Sequence, residues 1–245
     1  MFSFFKHTPA LTDLIPNDYV DIHSHLLFAI DDGAKTPEDS ISLVTSLADM
    51  GFTQFITTPH VMHTVWDNSQ EKITARLSET AAILSQNNIG IPLRAAAEYM
   101  MDSFFVQRLK TEKLLTLKDN HVLVEMSYVN PPIHLYEILF DLQVAGYTPV
   151  LAHPERYSFY HRNFGEYAKL KHAGCLFQIN LLSIVGYYGE GVQKTAERLL
   201  REGLIDFTGS DVHHSKHIDA FSRKLNLKDV KPLADALQNN SFFRY

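Results

Sequence analysis

Cysteine is nearly absent: Cys175 stands alone among 245 residues. One thiol cannot build an internal disulfide framework, so stability must come from a packed core, which a chain of this length can form. Such cysteine usage fits a reducing compartment, and a cytoplasmic location is expected. No run of about 18 apolar residues is present, so no membrane-spanning helix is expected. The opening stretch MFSFFKHTPALTDLIP is apolar only in patches. It lacks the early positive charge and continuous apolar core of a secretory signal. Basic residues are not in excess, with 22 Lys and Arg against 28 Asp and Glu and a formal charge of -6. Nucleic acids and anionic membranes both reward a basic face, so neither is expected as the main partner. Linkers, repeats and low-complexity tracts are also lacking, which makes residues 1–245 one domain.

What is present is a regular alternation. Short apolar, β-branched runs predict strands at 19–25, 52–60, 92–99, 122–127, 148–154, 176–180 and 205–213. Several are nearly continuous in apolar character, as parallel strands buried on both faces are. Helical signals lie between them. Thr36, Pro37 and Asp39 form a capped start, Ile41, Val44, Leu47 and Ala48 share a face, and Gly51 stops the helix. Ser69 opens a second helix with Ile73, Leu77, Ala81 and Leu84 at helical spacing. Further helices end at Gly146, Gly174 and Gly203. Seven strand–helix units predict an α/β fold with a parallel sheet, either an open doubly wound sheet or a barrel. An open nucleotide-binding sheet calls for a glycine-rich turn after an early strand, and the first strand ends instead in His-Ser-His. A barrel carries its active site at the C-terminal ends of its strands.

Those ends hold the chemistry. The first strand ends with His23 and His25, two apart and therefore on one side. The second ends with His60, the third with Glu98, and the fourth carries Glu125. The fifth ends with His153, and the seventh with Asp211 and His213. Asp31 and Asp32 follow the first strand, whereas the sixth, ending at Asn180, offers no charged or imidazole group. Burying so many carboxylates and imidazoles together is costly without a cation. A nitrogen and oxygen donor set without thiolate suits zinc, manganese, iron or magnesium. The donors exceed the needs of one ion, so two or three ions are expected, with Glu98 or Glu125 as a bridge. Sites of this kind most often perform hydrolysis. Arg156, three residues after His153, presents a planar fork that matches phosphate oxygens and points to a phosphoester. A cysteine-based phosphatase loop needs an arginine six residues past its nucleophile, and six past Cys175 is Leu181. Cys175 is therefore expected in the core. His63, His214 and His217 are candidates for outer contacts, and the aromatic ends FSFF and SFFRY are expected to dock against the fold.

The segments DIHSHLLFAIDDGAK, TPH, AAEYMMD, EMSY, AHPERY, QIN and SDVHH, in this order, resemble one family. It is the bacterial tyrosine-protein phosphatases of the polymerase-and-histidinol-phosphatase (PHP) superfamily, of the CpsB/YwqE capsular polysaccharide type. The resemblance implies a distorted (βα)7 TIM-like barrel and a trinuclear centre, often active with manganese. It implies His23, His25, Glu98 and Asp211 as ligands of one ion, Glu98, Glu125 and His153 of a second, and Asp32, His60 and His213 of a third. It implies Arg156 as a phosphate contact. It also implies a substrate, the phosphotyrosine tail of a bacterial tyrosine kinase that controls exopolysaccharide or capsule synthesis. Some relatives carry arginines where this chain has Val61 and Met62, or Lys216 and His217. A small-molecule phosphomonoesterase such as a histidinol-phosphatase-like enzyme would use the same metals, with a closed pocket.

Overall fold

A computed structural model describes residues 8–245. The strand that begins with Tyr19 is β1 (Tyr19–Asp21), followed by β2 (Phe52–Thr57) and β3 (His60–Val61). Next come β4 (Leu93–Ala95), β5 (Glu98–Met100), β6 (His121–Glu125), β7 (Thr148–Ala152), β8 (Leu176–Asn180) and β9 (Phe207–Gly209). Every strand pairing is parallel. The ladders form two sheets, one ordered β1-β2-β4 and one ordered β3-β5-β6-β7-β8-β9. No closed barrel is formed by strand ladders among the described residues.

The division arises where two expected strands break. The run 52–60 splits into β2 and β3 at Thr58-Pro59, because proline has no N–H to give a ladder. The run 92–99 splits into β4 and β5 at Ala96-Ala97. Single backbone bonds cross the gap: Ala96 N–H donates to Thr57 O at 2.9 Å, and Glu98 N–H to Pro59 O at 3.1 Å. On the other margin a parallel bridge joins Ser24 to Val212. There Asp211 N–H donates to His23 O at 2.7 Å, and His25 N–H to Val212 O at 3.0 Å. The two sheets thus meet along both margins, and one margin carries His23, His25 and Asp211.

Helices follow the local signals. The α1 helix (Pro37–Asp49) begins at the Thr36 capping box, with Thr36 Oγ1 accepting from Asp39 N–H at 3.2 Å. The α2 helix (Gln70–Gln86) is capped by Ser69. Its buried face includes Ile73, Thr80 and Leu84, while Ala81, expected on that face, is exposed. Then come α3 (Ser103–Thr111), α4 (Leu135–Val144), α5 (Gly165–His172), α6 (Leu181–Ile184), α7 (Glu190–Arg201), α8 (Ser215–Ala220) and α9 (Lys231–Asn239). Cys175 is buried as expected, which pushes its thiol up to about 12.

Val20, Ile22, Ile56, Leu123, Val150, Phe207 and Phe243 form one buried cluster drawn from both sheets. Phe243 belongs to the SFFRY end, which therefore docks as expected; the FSFF end lies outside the described residues. Beside Phe243, Asn240 is fully buried and links three segments. Its Nδ2 donates to Val20 O at 2.9 Å and Thr208 O at 2.8 Å, while its Oδ1 accepts from Thr208 N–H at 3.0 Å. Asn240→Ala should lower unfolding free energy by about 2–4 kcal/mol, since each orphaned buried group costs about 1–3 kcal/mol. Urea denaturation measures this, and a loss under about 1 kcal/mol would contradict the role given to Asn240.

Candidate metal centre

All nine side chains expected as ligands converge. They fall into four overlapping groups: His25, Asp32, His60 and His213; His23, Glu98 and His153; His23, His25 and Asp211; and His60, Glu98 and Glu125. Within each group the donor atoms lie within 4.8 Å of one another. Glu98 stands at the middle. Its Oε2 is 3.3 Å from His23 Nε2, 3.6 Å from His25 Nε2 and 3.0 Å from His60 Nδ1. Its Oε1 is 3.0 Å from His153 Nε2. Asp211 Oδ1 lies 3.3 Å from His23 Nε2 and 3.4 Å from His25 Nε2. Asp32 Oδ1 is 3.5 Å from both His60 Nε2 and His213 Nε2. The groupings differ from the expectation: His60 faces Glu98 and Glu125 with Nδ1 as well as Asp32 with Nε2, His153 meets Glu98 beside His23 rather than Glu125, and His25 joins the Asp32 group.

The imidazoles are aimed by what their other nitrogen does. His23 Nδ1 donates to Gln178 Oε1 at 2.6 Å, His25 Nδ1 to Asp31 Oδ2 at 2.8 Å, and His213 Nδ1 to the Asp211 carbonyl at 2.8 Å. Each pairing leaves Nε2 as the lone-pair donor turned inward. Asp31 is thus the orienting partner and Asp32 the member of the ring. Gln178 and Asn180 were not among the expected site residues. Asn180 Nδ2 donates to Asp211 Oδ2 at 2.7 Å, and Arg156 Nη1 donates to the same oxygen at 2.8 Å. Asp211 Oδ1 is left to face the imidazoles. The signal for this pair was present: Gln178 and Asn180 are two apart in an otherwise apolar strand, so they share a side.

Local backbone serves the same end. His153 and Asp211 both sit in the left-handed region, at φ 36° and 49°. Such residues cost about 1–3 kcal/mol each and persist where the surroundings over-determine them. Gly33 and Gly209 permit close approach. A Cβ on Gly33 would lie 2.3 Å from His25 O, and one on Gly209 would lie 2.7 Å from His23 Cβ.

The donor geometry fits divalent ions. His23 Nε2, His25 Nε2 and Glu98 Oε2 are buried and have no hydrogen-bond partner. Separations of 3.3–3.6 Å among these atoms and Asp211 Oδ1 are too long for hydrogen bonds. They match the edge of a tetrahedron of donors about 2.1 Å from an ion, roughly 3.4 Å. Electrostatics makes the same demand. Burial, then repulsion from Glu98, pushes Glu125 up to about 7. Burial opposes charge on Glu98, yet His23 and His60 hold it well below the carboxylate range. Burial opposes the imidazolium of His25, but Asp31 overrides it and raises the ring to about 10. His153 moves the other way, down to about 4, through burial and the Arg156 guanidinium. The cluster is short of positive charge, which divalent cations supply.

Asp32, His60, Glu125, His153, Asp211 and His213 line an open cavity of about 1170 Å³, with His23, His25 and Glu98 buried behind them. Arg156, Tyr128, Tyr188, His214 and His217 also line it, whereas Lys216 does not. His63 lies apart, stacked on Phe104 beside a second cavity.

A family model for capsular polysaccharide synthesis, CpsB/CapC, matches residues 19–229. The tyrosine-protein phosphatase YwqE of Bacillus subtilis (strain 168) is 31% identical over 198 residues, covering 80% of this chain and 78% of its own length. The putative tyrosine-protein phosphatase CapC of Staphylococcus aureus is 28% identical over 195 residues, covering 79% of this chain and 76% of its own. Crystal structures of YwqE from Bacillus subtilis and CpsB from Streptococcus pneumoniae are described as those of unique metal-dependent tyrosine phosphatases. A chain from that work matches this fold with a TM-score of 0.76 at 28% identity, covering 91% of this chain and 85% of that one.

Gln178→Leu removes the acceptor that holds the His23 tautomer. Affinity for Mn(II), read by titration calorimetry, should fall about 10–100-fold, the usual effect of losing such a partner. Unchanged affinity would show that Gln178 does not orient a ligand.

Proposed function

The chain belongs to the capsular polysaccharide synthesis CpsB/CapC family, and on that premise we propose that it is a metal-dependent tyrosine-protein phosphatase that hydrolyses phosphotyrosine. The observation that carries the reading is the convergence of the nine donors, six of which line one cavity together with Arg156. We assign His23, His25, Asp32, His60, Glu98, Glu125, His153, Asp211 and His213 to two or three divalent ions; the nitrogen and oxygen donor set suits manganese, iron, zinc or magnesium, and the family resemblance favours manganese. The two sheets, tied along both margins, are in this reading the distorted (βα)7 barrel of the PHP type, one domain spanning residues 1–245. The substrate is the phosphotyrosine tail of a bacterial tyrosine kinase, met in the cytoplasm. No helix among the described residues is long and apolar enough to cross a membrane.

The residues divide the work as follows. Bound ions supply Lewis acidity and a means of activating water near neutral pH. Arg156 lines the cavity while its Nη1 is tied to Asp211, so its remaining N–H groups hold phosphoryl oxygens as charge builds there. His153, held neutral at pH 7 by burial and by Arg156, offers a lone pair rather than a positive charge. The leaving phenolate needs little help, since a tyrosine hydroxyl has a pKa of about 10. Cys175 takes no part: it is buried, absent from the cavity lining, and its thiol is pushed up to about 12. A cavity of about 1170 Å³ exceeds the roughly 300–1,000 Å³ usual for small ligands and supports a polypeptide over a small phosphomonoester.

In metal-replete buffer, His153→Ala should lose at least about 100-fold in turnover of a phosphotyrosyl peptide, more than the ~10–100-fold typical of orienting partners. Thiol alkylation of the native wild type should leave the rate unchanged. Undiminished turnover by a folded His153→Ala protein would remove the site assignment.

A further inference from the structure

Arg156 is the one guanidinium lining the cavity, and its surroundings are unusual. Its Cζ lies 4.8 Å from the ring centre of Tyr128 and 4.2 Å from that of Tyr188. The two tyrosines come from distant parts of the chain. Tyr128 follows β6, and Tyr188 sits in the turn between α6 and α7. That turn, Gly186 to Gly189, is bracketed by glycines at φ 71° and 97°, a left-handed backbone that projects the tyrosines between them. Tyr188 is also tied to the metal centre, because Asn180 Nδ2 reaches both the Tyr188 hydroxyl at 3.2 Å and Asp211 Oδ2 at 2.7 Å. On the other side, the Tyr128 hydroxyl is 3.4 Å from His153 Nε2. Each ring therefore spans Arg156 and a proposed ligand or its partner.

We infer that Tyr128 and Tyr188 are positioning residues, a pair of aromatic faces that set the Arg156 guanidinium for phosphoryl oxygens before substrate arrives. The inference rests on the reading of Arg156 as the phosphate contact. Arginine is a long side chain with many rotamers, and a single hydrogen bond to Asp211 leaves its plane free to turn. Aromatic faces attract a guanidinium without occupying its N–H groups. Two faces plus the Asp211 bond define both the place and the plane, and the remaining donors stay available for an anion. Among the described residues, no other arginine or lysine lines the cavity to take over if this one swings away.

The test is competitive inhibition by inorganic phosphate, with KM and kcat for a phosphotyrosyl peptide, on manganese-loaded protein of verified metal content. Tyr188→Leu and Tyr128→Leu should each weaken phosphate about 5–30-fold, the worth of one partly desolvated cation–π contact. KM should rise with it while kcat changes less. Tyr188→Phe keeps the aromatic face and should stay within about 3-fold of wild type. In an Arg156→Lys background, which weakens phosphate by itself, Tyr188→Leu should add little further loss. Should Tyr188→Leu fail to fold, Tyr128→Leu carries the same test from the exposed cavity wall. If Arg156→Lys weakens phosphate and neither leucine variant does, the clamp is wrong and the role of Arg156 stands. If Arg156→Lys leaves phosphate affinity untouched, the phosphate contact and the clamp fall together.

Discussion

The whole arrangement turns on a surplus of negative charge buried at one point. Glu98, Glu125 and Asp211 are almost completely enclosed, and Glu98 has an oxygen with no hydrogen-bond partner. An unpaired buried carboxylate costs several kcal/mol, and three within reach of one another cost more than burial alone. Imidazoles from four parts of the chain surround them, and Nε2 of His23 and His25, with Nδ1 engaged elsewhere, faces the carboxylates without a hydrogen-bond partner. A centre with that polarity draws positive charge, which divalent cations among these donors would supply.

The scaffold bears strain to build it. His153 and Asp211 accept left-handed backbone, and Gly33 and Gly209 give up side chains so that His25 and His23 can be approached closely. The margin joining the first strand to the last is held by a few bonds rather than a full ladder, and His23, His25 and Asp211 lie within that margin. At the opposite end Asn240 and Phe243 close the core. Stability thus comes from three apolar clusters, one drawn from both sheets and two larger ones, while the rim is left to hold polar groups.

Much of this was legible in the sequence. His-x-His and Asp-x-His at strand ends, with acid or histidine at the ends of the second to fifth strands, marked the rim because strand periodicity makes such side chains share a side. The capping box at Thr36 to Asp39 was readable because it depends on local chemistry alone. The division into two sheets was not, since a strand broken at Thr58-Pro59 or Ala96-Ala97 keeps the apolar pattern of an unbroken one. Helix α3 was missed because Asp102 caps it just after a strand end. Gln178 and Asn180 carry no charge, so the sixth strand offers no sign of a ligand in the sequence. Their role appears only when His23 and Asp211, more than 30 residues from one or the other in sequence, are seen beside them. Ala81 was misplaced because one residue of helical drift exchanges it with Thr80.

The central claim is that this rim clasps divalent ions which the reaction requires. Elemental analysis of the purified chain, run beside turnover of a phosphotyrosyl peptide before and after chelation, tests it most directly. Two or three divalent ions per chain should be found, and turnover should vanish on chelation and return with Mn(II). A folded preparation that hydrolyses the peptide with no bound metal would contradict the account.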